Sequence, residues 1–203
     1  MRITNVRRHS VNELIGRMRT VTLVEDRSNE IYRSAAISVE RLAPEHLAPA
    51  QLYVLREALE VQRKLRLQLR RFDLDSLDLD GFVEIELEGR PDRIGLLPPV
   101  VEESIEANGR TMNVICDGMH RLFLARLEWT TPRVVFVRGI NRRFPYYAYP
   151  NINGWNDVRV IDKLSDAEGG KILKKWHRIE NHRSLFRDFS VAFSNLSVPR
   201  GAG

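Results

Sequence analysis

Asp117-Gly118-Met119-His120-Arg121 is the stretch on which the reading of this chain turns. It follows a short apolar run, Thr111 to Cys116, and opens an amphipathic one, Met119 to about Leu127, that carries Leu122, Ala125 and Leu127. The pattern predicts a strand entering the turn and a helix leaving it. Asp117 ends the strand and can cap the helix. Gly118 permits a left-handed turn and leaves room for a ligand beside the backbone. The first amides of a helix lack intrahelical partners and sit at the positive end of its dipole, so they attract an anion. Arg121 adds a permanent charge whose fork suits phosphate oxygens, and His120 adds a further donor. The alternative is an ordinary turn with a surface His and Arg.

Downstream, Thr130-Thr131-Pro132 stops the helix, and Arg133 to Val137 reads as a strand. Upstream, Pro98-Pro99 leads into Val100 to Ala107, a predicted short helix stopped by Asn108-Gly109. Phe82 to Glu88 alternates with period two and predicts a strand closed by Gly89. Before it, Asp73, Asp75, Asp78 and Asp80 lead to Gly81. A calcium loop in this register would put Leu87 where a bidentate Glu is required, so an acidic turn is the better reading. From about Gln51 to Phe72 a helix is predicted, with Val54, Ala58, Val61, Leu65, Leu69 and Phe72 on one stripe and most of the arginines off it. That basic side reads as a solvated face, with a nucleic-acid surface as the sharper alternative.

Further out, Thr20 to Val24 and Ile31 to Leu42 suggest a hairpin, preceded by a polar, basic lead-in with one amphipathic turn around Leu14. After residue 140 comes a loop rich in aromatics and asparagine, in which Tyr146, Tyr147, Asn151 and Trp155 either roof a ligand pocket or pack on the core. Ser165-Asp166-Ala167-Glu168 forms a capping box that predicts a helix carrying Ile172, Leu173 and Trp176 inward. A last amphipathic piece spans about Ser184 to Phe193.

With 203 residues, 43% of them hydrophobic, the chain can bury a real core. No apolar run is long enough to cross a membrane, and no secretory leader is recognisable, so the expected compartment is the cytoplasm. One cysteine, Cys116, excludes an internal disulfide and a cysteine-based zinc site. The net charge of +5 is compatible with phosphate, nucleic acid or an acidic partner. A nucleic-acid partner is possible but is not the favoured reading. Neither a P-loop nor a Gly-x-Gly-x-x-Gly fingerprint is present, so any nucleotide site is of another kind.

The stretch Leu96 to Val137 resembles the ParB/sulfiredoxin-like superfamily: a helix ending in Gly, a strand, a DG-x-HR turn, a helix with a small residue at Ala125, and a strand. The likeness covers roughly residues 36–138, with the Asp117–Arg121 turn as its sharp part. Its members include nucleotide-binding partition proteins, sulfiredoxins and free-serine kinases, which hold nucleotide phosphates at this turn. The resemblance therefore implies phosphate binding by Gly118, Met119, His120 and Arg121, with ATP or another nucleotide and Mg²⁺ as cofactors. From the kinase branch it implies a metal-associated, catalytic role for Asp117 and a carboxylate base upstream, where Glu102, Glu103 and Asp92 lie, Glu102 being the one selected. Sulfiredoxin chemistry does not carry over, because Met119 stands where its reactive cysteine would be. The helix-turn-helix module of partition proteins is not recognisable after residue 140.

The expectation is thus an α/β (α+β) chain with a ParB/sulfiredoxin-like small mixed sheet flanked by helices and a helical C-terminal extension. Residues 1–35 form a lead-in and hairpin arm, 36–140 the nucleotide-binding core, and 141–203 the aromatic loop and extension. The leading functional reading is a nucleotide-dependent phosphotransferase acting on a small hydroxyl-bearing molecule. The alternatives are a nucleotide-gated DNA- or protein-binding module of the ParB type and a non-catalytic scaffold.

Overall fold

A computed structural model describes residues 1–168, 176–193 and 196. From the N-terminus, β1 (Ile3–His9), α1 (Val11–Met18) and β2 (Thr22–Leu23) lead to β3 (Ala36–Arg41). Then come β4 (Tyr53–Leu55), α2 (Arg56–Leu69), β5 (Phe82–Leu87), β6 (Ile94–Leu96), β7 (Val100–Ile105) and β8 (Thr111–Asp117). α3 (Met119–Leu127), β9 (Arg133–Arg138), β10 (Arg159–Ile161), α4 (Leu164–Glu168) and β11 (Arg187–Asp188) complete the order.

The centre is a four-stranded mixed sheet in the order β3-β9-β7-β8. β9 runs antiparallel to β3 and parallel to β7, and β7 runs antiparallel to β8. The two middle strands are covered on both faces, which is why Val134 to Val137 and Val100-Val101 form continuous apolar runs. Val134 and Phe136 pack with Leu122 and Phe123 of α3, while Val135 and Val137 pack with Leu14 and Met18 of α1. A second sheet, β1-β5-β6, lays Ile3, Val83 and Ile85 against Leu65 and Leu69 of α2. The acidic turn after α2 anchors these layers: Asp75 takes Arg66 through both carboxylate oxygens, and Asp78 takes Arg133 and Arg41 at 2.6 Å each.

Several expectations are corrected. Val100 to Ala107 is not a helix: residues 100–105 are a central strand, because pairing on both sides outweighs a period too short to separate the two structures. The 20–42 hairpin does not form. β2 pairs with β11, apart from a bridge from Thr22 to Glu30, and β3 pairs with β9. The basic lead-in contains β1, which pairs with β5 along its length, and a helix capped by Ser10. The long helix begins at Arg56, since residues 53–55 pair in parallel with β10. Ser184 to Phe193 is two short 3₁₀ turns around β11 rather than a helix. α4 starts at Leu164, so Ser165 lies inside the helix rather than capping it, and the Lys163 amide donates to the Asp166 carboxylate at 3.0 Å; Ile172 and Leu173 lie outside the described residues. Trp176 is 58% exposed rather than inward-facing. No described helix is long and apolar enough to cross a membrane.

Acid should loosen this framework. Burial raises the Glu106 carboxyl, but hydrogen bonds from Arg178 and Ser104 outweigh it and hold the group below its ordinary 4.5. Asp75 is likewise held low, Arg66 outweighing its burial. A depressed carboxylate contributes stability that is complete above its unfolded pKa and is lost as pH falls through the folded one. The melting temperature should therefore fall steeply below about pH 4.5. Glu106→Gln should lower it at pH 7 and flatten that acid limb, as scanning calorimetry from pH 7 to 3 will read.

Candidate functional site

β8 delivers the chain to Gly118, whose φ of 80° and ψ of 21° form the left-handed start of α3. The sequence suggested that glycine leaves room for a ligand. The space beside it is instead filled by Pro99, whose Cβ would lie 2.7 Å from a Cβ placed there. Glycine serves the close approach of two backbones. No side chain caps α3, and its first helical bond runs from the Leu122 amide to the Gly118 carbonyl at 3.0 Å. The Met119, His120 and Arg121 amides precede that bond and have no partner within the helix.

The three polar side chains of the turn differ from expectation. Asp117 does not cap the helix; its carboxylate faces Arg121 at 3.5 Å, one helical turn on. Arg121 is only 7% exposed and donates to the Leu97 carbonyl, locking α3 to the end of β6. Burial lowers its pKa, and Asp117 opposes that. His120 accepts the Leu55 amide at Nε2 over 3.1 Å, so its ring carries the proton on Nδ1. These groups make the turn rigid and tie it to the start of α2.

The turn forms one wall of a cleft of about 350 Å³. Asp117 through Arg121 all line it. The facing wall is α2, which contributes Glu57, Ala58, Val61 and Gln62. The Gln62 Oε1 is buried without a hydrogen-bond partner among the described residues. Ala58 and Val61, read from the sequence as core stripe, thus face the cleft, while Leu59 joins Leu65 and Leu69 in the core. Spacing alone cannot separate a core-facing stripe from one that lines a hole. Tyr146 and Tyr147 close the end, and Tyr146 donates to the Cys116 carbonyl at 3.4 Å. Asn151 and Trp155 are not lining residues. Asn151 braces the rim by donating to the Gln51 carbonyl, and Trp155 packs against Phe123 in the core.

Glu102 is not brought to the turn. It sits on β7 at 2% exposure, held by both arms of Arg187 at 2.8 Å and by the Tyr32 hydroxyl at 2.5 Å. Burial works against the Arg187 charge, yet the Glu102 carboxylate outweighs it and raises the pKa. Tyr32 is raised too, by burial first and then by Glu102. Burial also pushes up the Cys116 thiol, with Glu102 adding to it, so this cysteine stays protonated. Glu103 and Asp92 are also absent from the cleft lining. Among the described residues no group of three or more His, Cys, Asp or Glu side chains could hold a metal ion. A Mg²⁺ here would rest on Asp117 and on oxygens brought by the nucleotide itself, a mode that suits this ion.

A mixed sheet brings a strand–Asp-Gly–helix turn to the mouth of a cleft, as the resemblance to a ParB-like domain implies. The family model described as the ParB CE domain matches residues 13–159, well over half of the chain, and the chain belongs to that family. No curated protein and no solved structure matches it.

Proposed function

We propose that this chain is a nucleotide-responsive binding module of the ParB type. The nucleotide's phosphates sit against the Met119–Arg121 amides, and its remainder lies along α2. Occupancy then sets how the module engages DNA or another protein. The observation that carries this reading is the uncapped start of α3 opening into the cleft. Backbone amides and the helix dipole supply the charge complement, because Arg121 and His120 are already engaged by protein atoms. Their part is to fix the turn so that little ordering remains to be done on binding.

A second reading, phosphoryl transfer to a small hydroxyl-bearing molecule, draws on Glu57, which lines the cleft with Asp117. It would need that residue as the base, because Glu102 is committed to Arg187.

The test is thermal shift with ATP, ADP, CTP and GTP plus Mg²⁺. A ligand at a hundred times its Kd adds about 2.7 kcal/mol, which for a chain this long raises the melting temperature by roughly 5–10 °C. Val61→Trp, which fills the cleft from α2, should abolish the shift while leaving the fold intact. No shift with any nucleotide in the unaltered protein would end the proposal. Transfer of labelled phosphate to a small acceptor, lost in Glu57→Gln, would favour the second reading.

A further inference from the structure

Beyond the cleft, residues 147–149 pair with 176–178 as a short antiparallel ribbon. Ala148 bridges His177, Tyr149 donates its amide to Trp176 at 2.7 Å, and Arg178 donates to Tyr147 at 3.0 Å. In this register Tyr149 and Trp176 stand directly opposite each other, and paired residues project their side chains to the same face. Ala148 is fully buried, whereas Tyr149 is 42% and Trp176 58% exposed. Two exposed aromatic residues thus lie opposite each other on one face of the ribbon.

The ribbon is firmly mounted. The Arg178 guanidinium lies 4.4 Å from the centre of the Tyr149 ring. It is held there by the Tyr146 carbonyl at 2.8 Å and by Glu106 at 2.6 Å. That pair is nine-tenths buried, so Tyr149 rests on a fixed base and Glu106 offers no free negative charge. The same end of β7 borders a second cavity, of about 170 Å³, that Ile105 and Arg142 line. Arg142, Arg143 and, on the β7–β8 turn, Arg110 are exposed and form no ion pair among the described residues. The cavity's carboxylates are Glu103 and Glu102, the latter neutralised by Arg187. Against these three arginines stand Glu103 and, two residues beyond Arg178, the exposed Glu180, so among the described residues the cations of this end outnumber its free carboxylates by one.

We infer that this face binds single-stranded nucleic acid, with unpaired bases stacking on Tyr149 and Trp176 and phosphates meeting Arg110, Arg142 and Arg143. Exposed rings beside unpaired cations match the two demands of a single strand, a π-face for each base and a positive track for its backbone. A duplex offers the phosphates but hides the base faces. The inference rests on the module reading above and names its partner, but the face is formed without any nucleotide in the cleft.

The experiment is fluorescence anisotropy of a labelled oligothymidylate, about 20 nucleotides long to exceed a typical site, with the full chain and no added nucleotide. Tyr149→Ala and Trp176→Ala should each weaken binding roughly five- to hundred-fold, while Tyr149→Phe and Trp176→Phe keep it. Each of Arg110→Ala, Arg142→Ala and Arg143→Ala should reduce the slope of log K against log salt by about 0.7. Equal or tighter binding of a duplex of the same length, indifference to the ring substitutions, or no binding would each overturn the proposal. Val61→Trp should bind the oligonucleotide as the unaltered protein does, so loss of the nucleotide response and loss of strand binding report separately on the cleft and on this face.

Discussion

Glu102→Ala is expected to cost about 3–5 kcal/mol and to lower the melting temperature by roughly 6–20 °C. The carboxylate lies on a central strand at 2% exposure, and its partner Arg187 has an equally buried side chain. Removing one charge strands the other where water cannot reach it, and that penalty exceeds what the pair gains by existing. Arg187→Ala should therefore be about as damaging, although it leaves an anion rather than a cation. The paired substitution Glu102→Leu with Arg187→Met removes both charges and keeps volume, and it should recover most of the loss. Tyr32→Phe removes one donor to the same carboxylate and should cost only about 1–2 kcal/mol, because Arg187 remains in place. Denaturant melts of the four variants decide the matter. A Glu102→Ala protein as stable as the parent would mean the pair is not the buried junction described.

Gly118→Ala is expected to cost about 2–5 kcal/mol and to remove the nucleotide response. A φ of 80° costs an L-residue about 1–2 kcal/mol. The added methyl meets Pro99 at 2.7 Å, an overpacking that costs about 1–3 kcal/mol more. Relief of that contact tilts the first turn of α3, which misdirects the amides facing the cleft. Pro99→Gly in the same chain removes the Cβ and Cγ contacts but leaves the Cα at that position 2.9 Å from the methyl, so it should restore only a small part of the nucleotide shift, while the backbone penalty stays. A Gly118→Ala protein that melts and responds like the parent would show that the turn tolerates a side chain.

Much of the centre was legible because its signals are local. The helix Met119–Leu127 and the strands around Val39, Ile85, Val114 and Val135 appear close to where alternation, apolar runs and breakers put them. The turn was found because Asp-Gly between a strand and a helix carries its own geometry. What failed depends on partners distant in the chain. Val100 to Ile105 reads equally as helix or strand until β8 and β9 flank it. β1 is a strand only because β5 lies beside it, more than seventy residues on. The kinase-branch resemblance implies a base from the segment that holds Glu102, Glu103 and Asp92, but the partner of Glu102 is Arg187, 85 residues away. Arg121 and His120 line the cleft, but their bonds to the Leu97 carbonyl and the Leu55 amide go to backbone groups that no residue pattern marks.

Because Arg187 neutralises a carboxylate on an interior strand synthesised 85 positions earlier, the order of translation matters. A nascent chain that has emerged through β9 already holds every strand of the central sheet, yet its middle carries a carboxylate that Tyr32 bonds but whose charge has no cation beside it. Without the Arg187 guanidinium the sheet would close over a carboxylate that lacks its cation, so ribosome-bound lengths stopping short of residue 187 should stay protease-sensitive. Those that include it should become resistant in one step.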